Sequence, residues 1–480
     1  LSLREGTSVA DSPVLMTIEQ LIEAVRGSCI CNCLSADGFS SVATDSRKVQ
    51  PGGLFVPLMG ETQDGHSYIP KALEAGASII LVDKSHGDGS AGLFTNLAMQ
   101  YRVCFVMVDN TLHALQDAAR MYVSFFPDLL KIGITGSSGK TTTKEITAAI
   151  FSVKYNVVMN EGNLNSETGL PLSVFKIRKD HQVGIFELGM NRRGEIAEIA
   201  RVLVPSLALI TNIGTAHIGI LGTQVAIAEE KKKIFSFFSK DSTGFVPEDD
   251  PWRDFLQTIP VGNVRLFGTG SLDGFEGYED RGIDGTVIRY AGLEILFRLP
   301  GTYNLRNALG AISLARKAGL APEEIKKGVE SVQALFGRTE ILRGEITVIR
   351  DCYNANPDSM QSAIDFCDSL GWDGRKIFVL GSMLELGDES EAAHAKICRK
   401  VWYSSADRVF LFGDEMIAAG RRTFPADYPV EYAESMEGLS RLLEGTVKKG
   451  DLVFIKGSRG MALERVCKSL NCQGSSEGRS

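Results

Sequence analysis

Lys131-Ile-Gly-Ile-Thr-Gly-Ser-Ser-Gly-Lys-Thr-Thr-Thr143 holds the residue types and spacing best suited to chemistry in this chain. An apolar run leads into two closely spaced glycines, then a lysine and threonines. That is the order of a buried strand, a tight turn and the start of a helix. Such a turn points several backbone N–H groups, and the positive end of a helix dipole, at one place. Gly136, Ser137, Ser138 and Gly139 would cradle phosphates, with Thr142 close behind. Lys140 would reach the β- and γ-phosphates, and the Thr141 hydroxyl would ligate Mg²⁺. The implied ligand is ATP or GTP. Ile134 stands where the common G-x-x-x-x-G-K-[ST] pattern has its first glycine, so the string is a shorter T-G-x-x-G-K-T-T. The alternative is a plain strand–turn–helix with coincidental Gly and Lys.

Other polar residues follow apolar runs, where open α/β sheets bind ligands. Glu187 ends one run in Phe186-Glu-Leu-Gly-Met-Asn191, and His217 lies beyond another in Thr211-Asn-Ile-Gly-Thr-Ala-His217. A carboxylate there could hold Mg²⁺ near a γ-phosphate, and a neutral imidazole could join it. Taken singly, Glu187 reads equally as a solvated strand end and His217 as a structural histidine. The amide-rich loop Asn160-Glu-Gly-Asn-Leu-Asn-Ser-Glu-Thr-Gly-Leu-Pro171 suits a ligand with many hydroxyls and carbonyls, or simply a capped helix start.

The elements that must position these residues fall into three blocks. Up to about Asp128, strands are expected at 55–58, 78–82 and 103–108 and helices at 68–75 and 112–125. From Leu129, runs at 130–135, 183–187 and 207–212 suit a parallel sheet covered by helices, followed by a Gly- and Asp-rich segment at 271–285, a hairpin at 287–299 and a helix at 304–318. From Gly337, strands at 346–350, 376–380, 408–412 and 452–456 alternate with helical stretches in a doubly wound pattern. The expected domains are therefore 1–128, 129–336 and 337–472, with a polar, disordered tail at 473–480.

Composition fits this reading. The chain has 480 residues, a formal charge of −8, 44% apolar and 23% charged residues, ordinary values for a globular α/β protein of several domains. No Lys/Arg block suggests a nucleic-acid surface, and no apolar run is long enough to enter a membrane. The N-terminal residues lack the order of a signal peptide. The nine cysteines are scattered as in a reduced cytoplasmic protein; Cys29, Cys31 and Cys33 lack a second ligand pair at zinc spacing.

Taken in order, the phosphate-loop string, Gly162-Asn-Leu-Asn165, Glu187-Leu-Gly, Asn212-Ile-Gly-Thr-Ala-His217 and Asn304-x-x-Asn307 resemble the Mur ligase family of peptidoglycan synthesis. Asp351-Cys-Tyr-Asn-Ala-Asn-Pro-Asp-Ser-Met360, Val379-Leu-Gly-Ser-Met-Leu-Glu-Leu-Gly387 with His394 beyond, and Gly60-Glu-Thr-Gln-Asp-Gly-His66 after Thr44-Asp-Ser-Arg47 are similar to members that add D-alanyl-D-alanine to UDP-N-acetylmuramoyl-tripeptide. The resemblance implies an N-terminal α/β domain for the UDP substrate, a central P-loop ATPase with a parallel sheet, and a C-terminal Rossmann-like domain. It implies an ATP-dependent, ADP-forming ligase acting as a cytoplasmic monomer on those two substrates.

The resemblance also assigns residues. Glu187 and His217 become metal-site residues beside Thr141. A CO₂-modified lysine is implied in Ala228-Glu-Glu-Lys-Lys-Lys-Ile234, at Lys231, with Lys232 and Lys233 leaving the register open. A free ammonium would repel Mg²⁺, whereas a carbamate offers it an anionic oxygen. Asn304 and Asn307 are implied near adenine, with Tyr303 where histidine is usual. Arg338 and Asp351 are implied at phosphate and ribose. Ser382 departs from a usual aspartate. Candidates for the UDP substrate are Ser46, Arg47, His66, Asn163, Asn165, Ser166 and Glu167, although Ser46, Arg47 and His66 could equally hold turns. Asn354, Asn356 and Glu385 are candidates for the dipeptide. The alternatives are a relative adding a diamino acid to the muramoyl dipeptide, one adding glutamate to folate, and a silent nucleotide or sugar-nucleotide binder. A GTPase switch would carry Asn-Lys-x-Asp, and the chain has no Asn-Lys pair.

Overall fold

The computed structural model describes residues 14–470 apart from 35–36, 61 and 88–90. The tail at 473–480 and Glu61 of the Gly60–His66 string lie outside the described residues. Two compact units are formed: Leu1–Lys131 with Val158–Met190 and Gly194–Pro205, and Ile132–Val157 with Asn191–Arg193 and Ser206–Ser480.

The first unit holds a five-stranded sheet of β1 (Ser28–Asn32), β2 (Val42–Ala43), β3 (Leu54–Phe55), β4 (Ile79–Asp83) and β5 (Cys104–Val108). Its order is β1-β5-β4-β3-β2, parallel except for β1, which runs antiparallel to β5. β4 is buried throughout, as its unbroken apolar run requires. The strand expected at 55–58 stops at Phe55, because Pro57 has no N–H for the ladder. β1 went unanticipated: it is a mostly exposed edge strand with no apolar alternation. The helix Thr111–Ser124 starts at an Asn110 cap and ties in the later segments of this unit. Its Tyr122 hydroxyl donates to the Ile177 carbonyl at 2.7 Å, and its Gln116 amide donates to the Glu167 carbonyl at 3.2 Å.

In the second unit, β6 (Leu130–Thr135, from Ile132 onward), β7 (Leu207–Ile210), β8 (Thr243–Pro247) and β9 (Asn263–Phe267) lie side by side, all parallel, in the order β9-β8-β7-β6. Helices α1 (Lys140–Phe151) and α3 (Thr302–Lys317) pack together; α2 (Gln224–Lys232) lies between them in sequence. The Gly- and Asp-rich segment contributes a strand of its own, β10 (Phe275–Asp280), to the expected hairpin β11 (Thr286–Tyr290) and β12 (Leu293–Phe297).

The C-terminal part of this unit has six strands: β13 (Glu340–Arg343), β14 (Thr347–Asp351), β15 (Lys376–Gly381), β16 (Arg408–Phe412), β17 (Val430–Ala433) and β18 (Leu452–Lys456). The order is β13-β14-β18-β15-β16-β17, with only β13 antiparallel. Successive side chains enter opposite cores. Phe378 and Leu380 pack with α4 (Pro357–Ser369) on one face, and Ile377 and Val379 pack with Leu439 and Leu443 on the other. Central strands covered on both faces need apolar residues along most of their length, which is why β14, β15, β16 and β18 read as apolar runs.

Candidate active site

The turn between β6 and α1 is built as the sequence suggests. Gly136 has φ 150°, and a Cβ there would lie 1.8 Å from Thr211 Oγ1. Gly139 caps α1 in the left-handed region at φ 78°, with a Cβ position 2.5 Å from Asn307 Oδ1. Neither place admits a side chain. The first-turn N–H groups of Lys140, Thr141 and Thr142 point out of the helix end. Ser137 and Ser138 are pinned from behind. Ser137 N–H donates to the Asn212 carbonyl at 3.1 Å, Ser138 N–H donates to Asn212 Oδ1 at 3.1 Å, and the Thr211 hydroxyl donates to the Ser138 carbonyl at 2.5 Å. Thr211 and Asn212, which stand in the string that carries His217, thus hold the phosphate turn from behind.

Two lysines meet at this turn. Lys140 Nζ and Lys231 Nζ each donate to the Gly136 carbonyl at 2.9 Å. Lys231, on α2, is 1% exposed. Lys232 instead donates to the Phe255 carbonyl at 2.7 Å and lies 4.0 Å from the Phe255 ring centroid, and Lys233 pairs with Glu230 at 2.7 Å. Of the three, Lys231 alone turns toward the phosphate loop, because one residue along a helix rotates a side chain by about 100°.

His217 follows β7 at φ 67°. Burial, with the charges of Lys140 and Lys231 nearby, holds its imidazole down to about 3, so it is neutral. Its Nδ1 is buried with no hydrogen-bond partner. A buried, unpartnered nitrogen of a neutral imidazole beside a phosphate loop fits a metal cation in the tautomer that puts the lone pair on Nδ1.

The C-terminal segments of the unit reach the same turn. Arg338 donates to Thr141 Oγ1 at 3.0 Å and stacks on Tyr353, 4.1 Å from the ring centroid. Asn356 caps α4 by accepting the Ser359 N–H, and its amide reaches the Ser137 carbonyl at 3.5 Å. Asp358 accepts from the Thr215 N–H at 2.6 Å and from its hydroxyl at 2.9 Å. Asn354 turns its Oδ1 to the Ala355 N–H at 2.8 Å. Glu385 has φ 66°. Asn304 donates to the Pro300 carbonyl at 2.8 Å, and Asn307 donates to Asn304 Oδ1 at 3.4 Å. Asp351 is ion-paired with Lys456 at 2.6 Å.

The candidates in the first unit form two groups of their own. In one, Asn165 donates to Glu187 Oε1 at 2.8 Å, Ser166 Oγ accepts the Gly169 N–H at 3.1 Å, and Glu167 N–H donates to Glu195 Oε1 at 3.0 Å; Asn163 is exposed. Glu187, 3% exposed, ends the strand Val183–Glu187. In the other, Ser46 is buried in a turn capped by Asp45, and Arg47 is exposed and bonds Asp45 through two nitrogens. That contact brings the Asp45 carboxyl to about 2.

His66 is buried. Its Nδ1 meets Asp64 Oδ1 at 2.8 Å, and its Nε2 accepts the Asp83 N–H at 3.1 Å. His86 Nε2 meets the other Asp64 oxygen at 2.6 Å. Asp64, His66 and His86 thus bring three possible ligand atoms within 4.8 Å. Because Nε2 of His66 is the acceptor, Nδ1 carries the proton and has no lone pair for a cation. Both ring nitrogens serve the loop, as the turn-holding alternative has it. Burial keeps His66 below the usual value, whereas the unfolded chain protonates it below about pH 6.5. The unfolded state then binds more protons, so stability falls as pH drops through that range. Melting temperature should decline from pH 7 to 5, and His66→Gln should make the decline shallower; an unchanged slope would remove His66 as a cause.

Three family models match the chain: "Mur ligase family, catalytic domain" over residues 39–122, "Mur ligase middle domain" over 134–315 and "Mur ligase, glutamate ligase domain" over 337–459. The chain belongs to the Mur ligase family. It is 46% identical to the UDP-N-acetylmuramoyl-tripeptide–D-alanyl-D-alanine ligase of Treponema pallidum, over 94% of this chain and 98% of that one. To the enzyme of the same name from Bacillus subtilis it is 35% identical, over 95% and 98%. A crystal structure of MurF from Acinetobacter baumannii superposes with a TM-score of 0.84 at 26% identity, covering 95% and 98%. MurF from Thermotoga maritima in complex with ADP gives 0.76 at 26% identity, over 89% and 96%. The α/β architecture with N-terminal, middle and C-terminal Mur ligase domains is thereby that of the family. Among the described residues no helix is long and apolar enough to cross a membrane.

Proposed function

We propose that this Mur ligase joins D-alanyl-D-alanine to UDP-N-acetylmuramoyl-tripeptide with hydrolysis of ATP to ADP and phosphate, in cell-wall precursor synthesis in the cytoplasm. The observation that carries the reading is the convergence of Lys140, Thr141, His217, Lys231 and Arg338 on one glycine turn. The names of the Treponema and Bacillus relatives supply the substrates.

The chemistry follows from charge. A carboxylate oxygen of the tripeptide attacks the γ-phosphorus, and ADP leaves. The amine of the dipeptide then attacks the acyl carbon, the phosphate departs from it, and the amine proton is released. The carboxylate and the γ-phosphate are both anions, so the first step needs cations preorganised around them. Lys140 reaches the phosphates from the helix start, Arg338 from the other side of Thr141. Mg²⁺, when bound, would neutralise phosphate charge. The residues to hold it are Thr141, His217, Lys231 as its carbamate, and Glu187, the last on motif and chain order. Asn304, Asn307 and Asp351 are assigned to the nucleoside. Ser46, Arg47, His66, Asn163, Asn165, Ser166 and Glu167 are assigned to the UDP substrate, and Asn354, Asn356 and Glu385 to the dipeptide. Domain limits near 128 and 336 and a monomeric state belong to the same reading.

The test is phosphate release by purified protein with ATP and UDP-N-acetylmuramoyl-tripeptide, with and without D-alanyl-D-alanine, and the mass of the product. Release matched by a product one dipeptide heavier is expected. Turnover only with a muramoyl dipeptide and a diamino acid would move the chain to a neighbouring activity.

A further inference from the structure

Lys456 has no part in the roles assigned above, yet it is among the most buried cations of the chain. Its side chain is 3% exposed at the C-terminal end of β18, directly opposite Asp351 at the end of β14. Nζ donates to Asp351 Oδ2 at 2.6 Å and to the Asn354 carbonyl at 3.3 Å. A lysine taken out of water this fully needs such partners, and so does the carboxylate it faces.

The other oxygen, Asp351 Oδ1, accepts the Thr339 N–H at 3.2 Å. Thr339 is the unusual residue of this region. It is β-branched and 4% exposed, and it has φ 49°, a conformation such residues rarely adopt. Its hydroxyl lies 2.9 Å from the Tyr303 hydroxyl on α3, so it is held at both ends. Tyr303 therefore has a use here that a shorter histidine would not reproduce in the same way. The residue before Thr339 is Arg338, which reaches Thr141. The residue before that is Gly337 at φ 65°, its N–H donating to Glu340 Oε2 at 3.2 Å. Left-handed positions on both sides of Arg338 set the backbone that carries it.

We propose that Lys456 is a positioning residue for nucleotide binding. It holds Asp351, Asp351 holds the strained Thr339, and the turn so fixed aims Arg338 at Thr141 and the terminal phosphates beside it. This rests on the nucleotide reading of the phosphate loop and extends it to a residue more than three hundred positions away. Lys456 touches no substrate; it acts through Asp351 and Arg338.

Calorimetric titration of the full-length protein with ADP and with a β,γ-imido analogue of ATP, both with Mg²⁺, separates the two ideas. Wild-type protein that binds neither overturns the nucleotide reading and the relay together. If wild type binds both, Arg338→Ala and Lys456→Met should each weaken the analogue about tenfold more than ADP, as expected for a charge-assisted contact to the terminal phosphate. The double variant should be no weaker than Arg338→Ala alone, since both changes remove one interaction. Lys456→Arg, which keeps the ion pair, should recover most of the loss. Independent, additive losses, or equal losses for both nucleotides, overturn the relay while leaving nucleotide binding intact. Should Lys456→Met fail to fold because the half-buried Asp351 loses its ion-pair partner, Lys456→Met with Asp351→Asn removes both charges. Because Asp351 is also assigned to the nucleoside, that variant should weaken both nucleotides, the analogue about tenfold more than ADP; an equal loss for both would overturn the relay.

Discussion

Lys140→Ala should lower ATP-dependent phosphate release by about 10²–10³-fold or more, the cost of removing a preorganised charge from a transition state that concentrates anionic oxygens. The fold should survive. Lys140 is the first residue of α1 and half-buried, and it donates to the Gly136 carbonyl at 2.9 Å. Losing that contact still leaves the Gly136 carbonyl accepting from Lys231 Nζ, whereas losing the charge removes one of the few cations where two anions must approach. The distinguishing measurement is kcat beside the melting temperature. Activity within tenfold of wild type would mean that Lys140 is not at the reacting phosphate, and the proposed chemistry would fall with it.

Changes at Lys231 should be nearly as severe, and confined to that one position. Lys231→Met keeps the apolar stem and removes the nitrogen that carries either the ammonium or the carbamate. An activity loss of about 10²-fold or more is expected. Lys232→Ala and Lys233→Ala should retain most activity, because their side chains lie against Phe255 and Glu230. The carbamate itself has a separate readout. Stripping dissolved CO₂ from the wild-type protein should depress turnover, and bicarbonate should restore it. Turnover indifferent to CO₂, with Lys231→Met inactive, would make Lys231 a plain cation at the Gly136 carbonyl. Equal losses at Lys231 and Lys232 would overturn the placement altogether.

The legible part of this fold is local. The glycine turn could be read because a strand, two glycines, a lysine and threonines are contiguous, and their conformations follow from their own sterics: φ 150° at Gly136 and φ 78° at Gly139 are places for glycine. The central strands β14, β15, β16 and β18 could be read because burial on both faces forces an unbroken apolar run. The edge strands β1, β13 and β17 could not. One or both faces of an edge strand meet water, so its sequence carries no such run. β8 was hidden for another reason: it is fully buried, but Thr243-Gly at its start and Pro247 at its end look like turn residues.

Sequence alone pointed to a phosphate-binding turn, to a parallel sheet that carries it and a doubly wound block after it, and to the family whose motifs surround it. Each of these depends on neighbours in sequence. Tertiary structure decided which of three consecutive lysines faces the phosphate loop, which proton His66 carries, and that Lys456 holds Asp351 across 105 positions. Those choices turn on helix rotation, on the donor that a neighbouring strand presents, and on the register of two paired strands. Burial makes each of them costly to leave unsatisfied, and none of the partners can be seen from the residue's own surroundings in the chain.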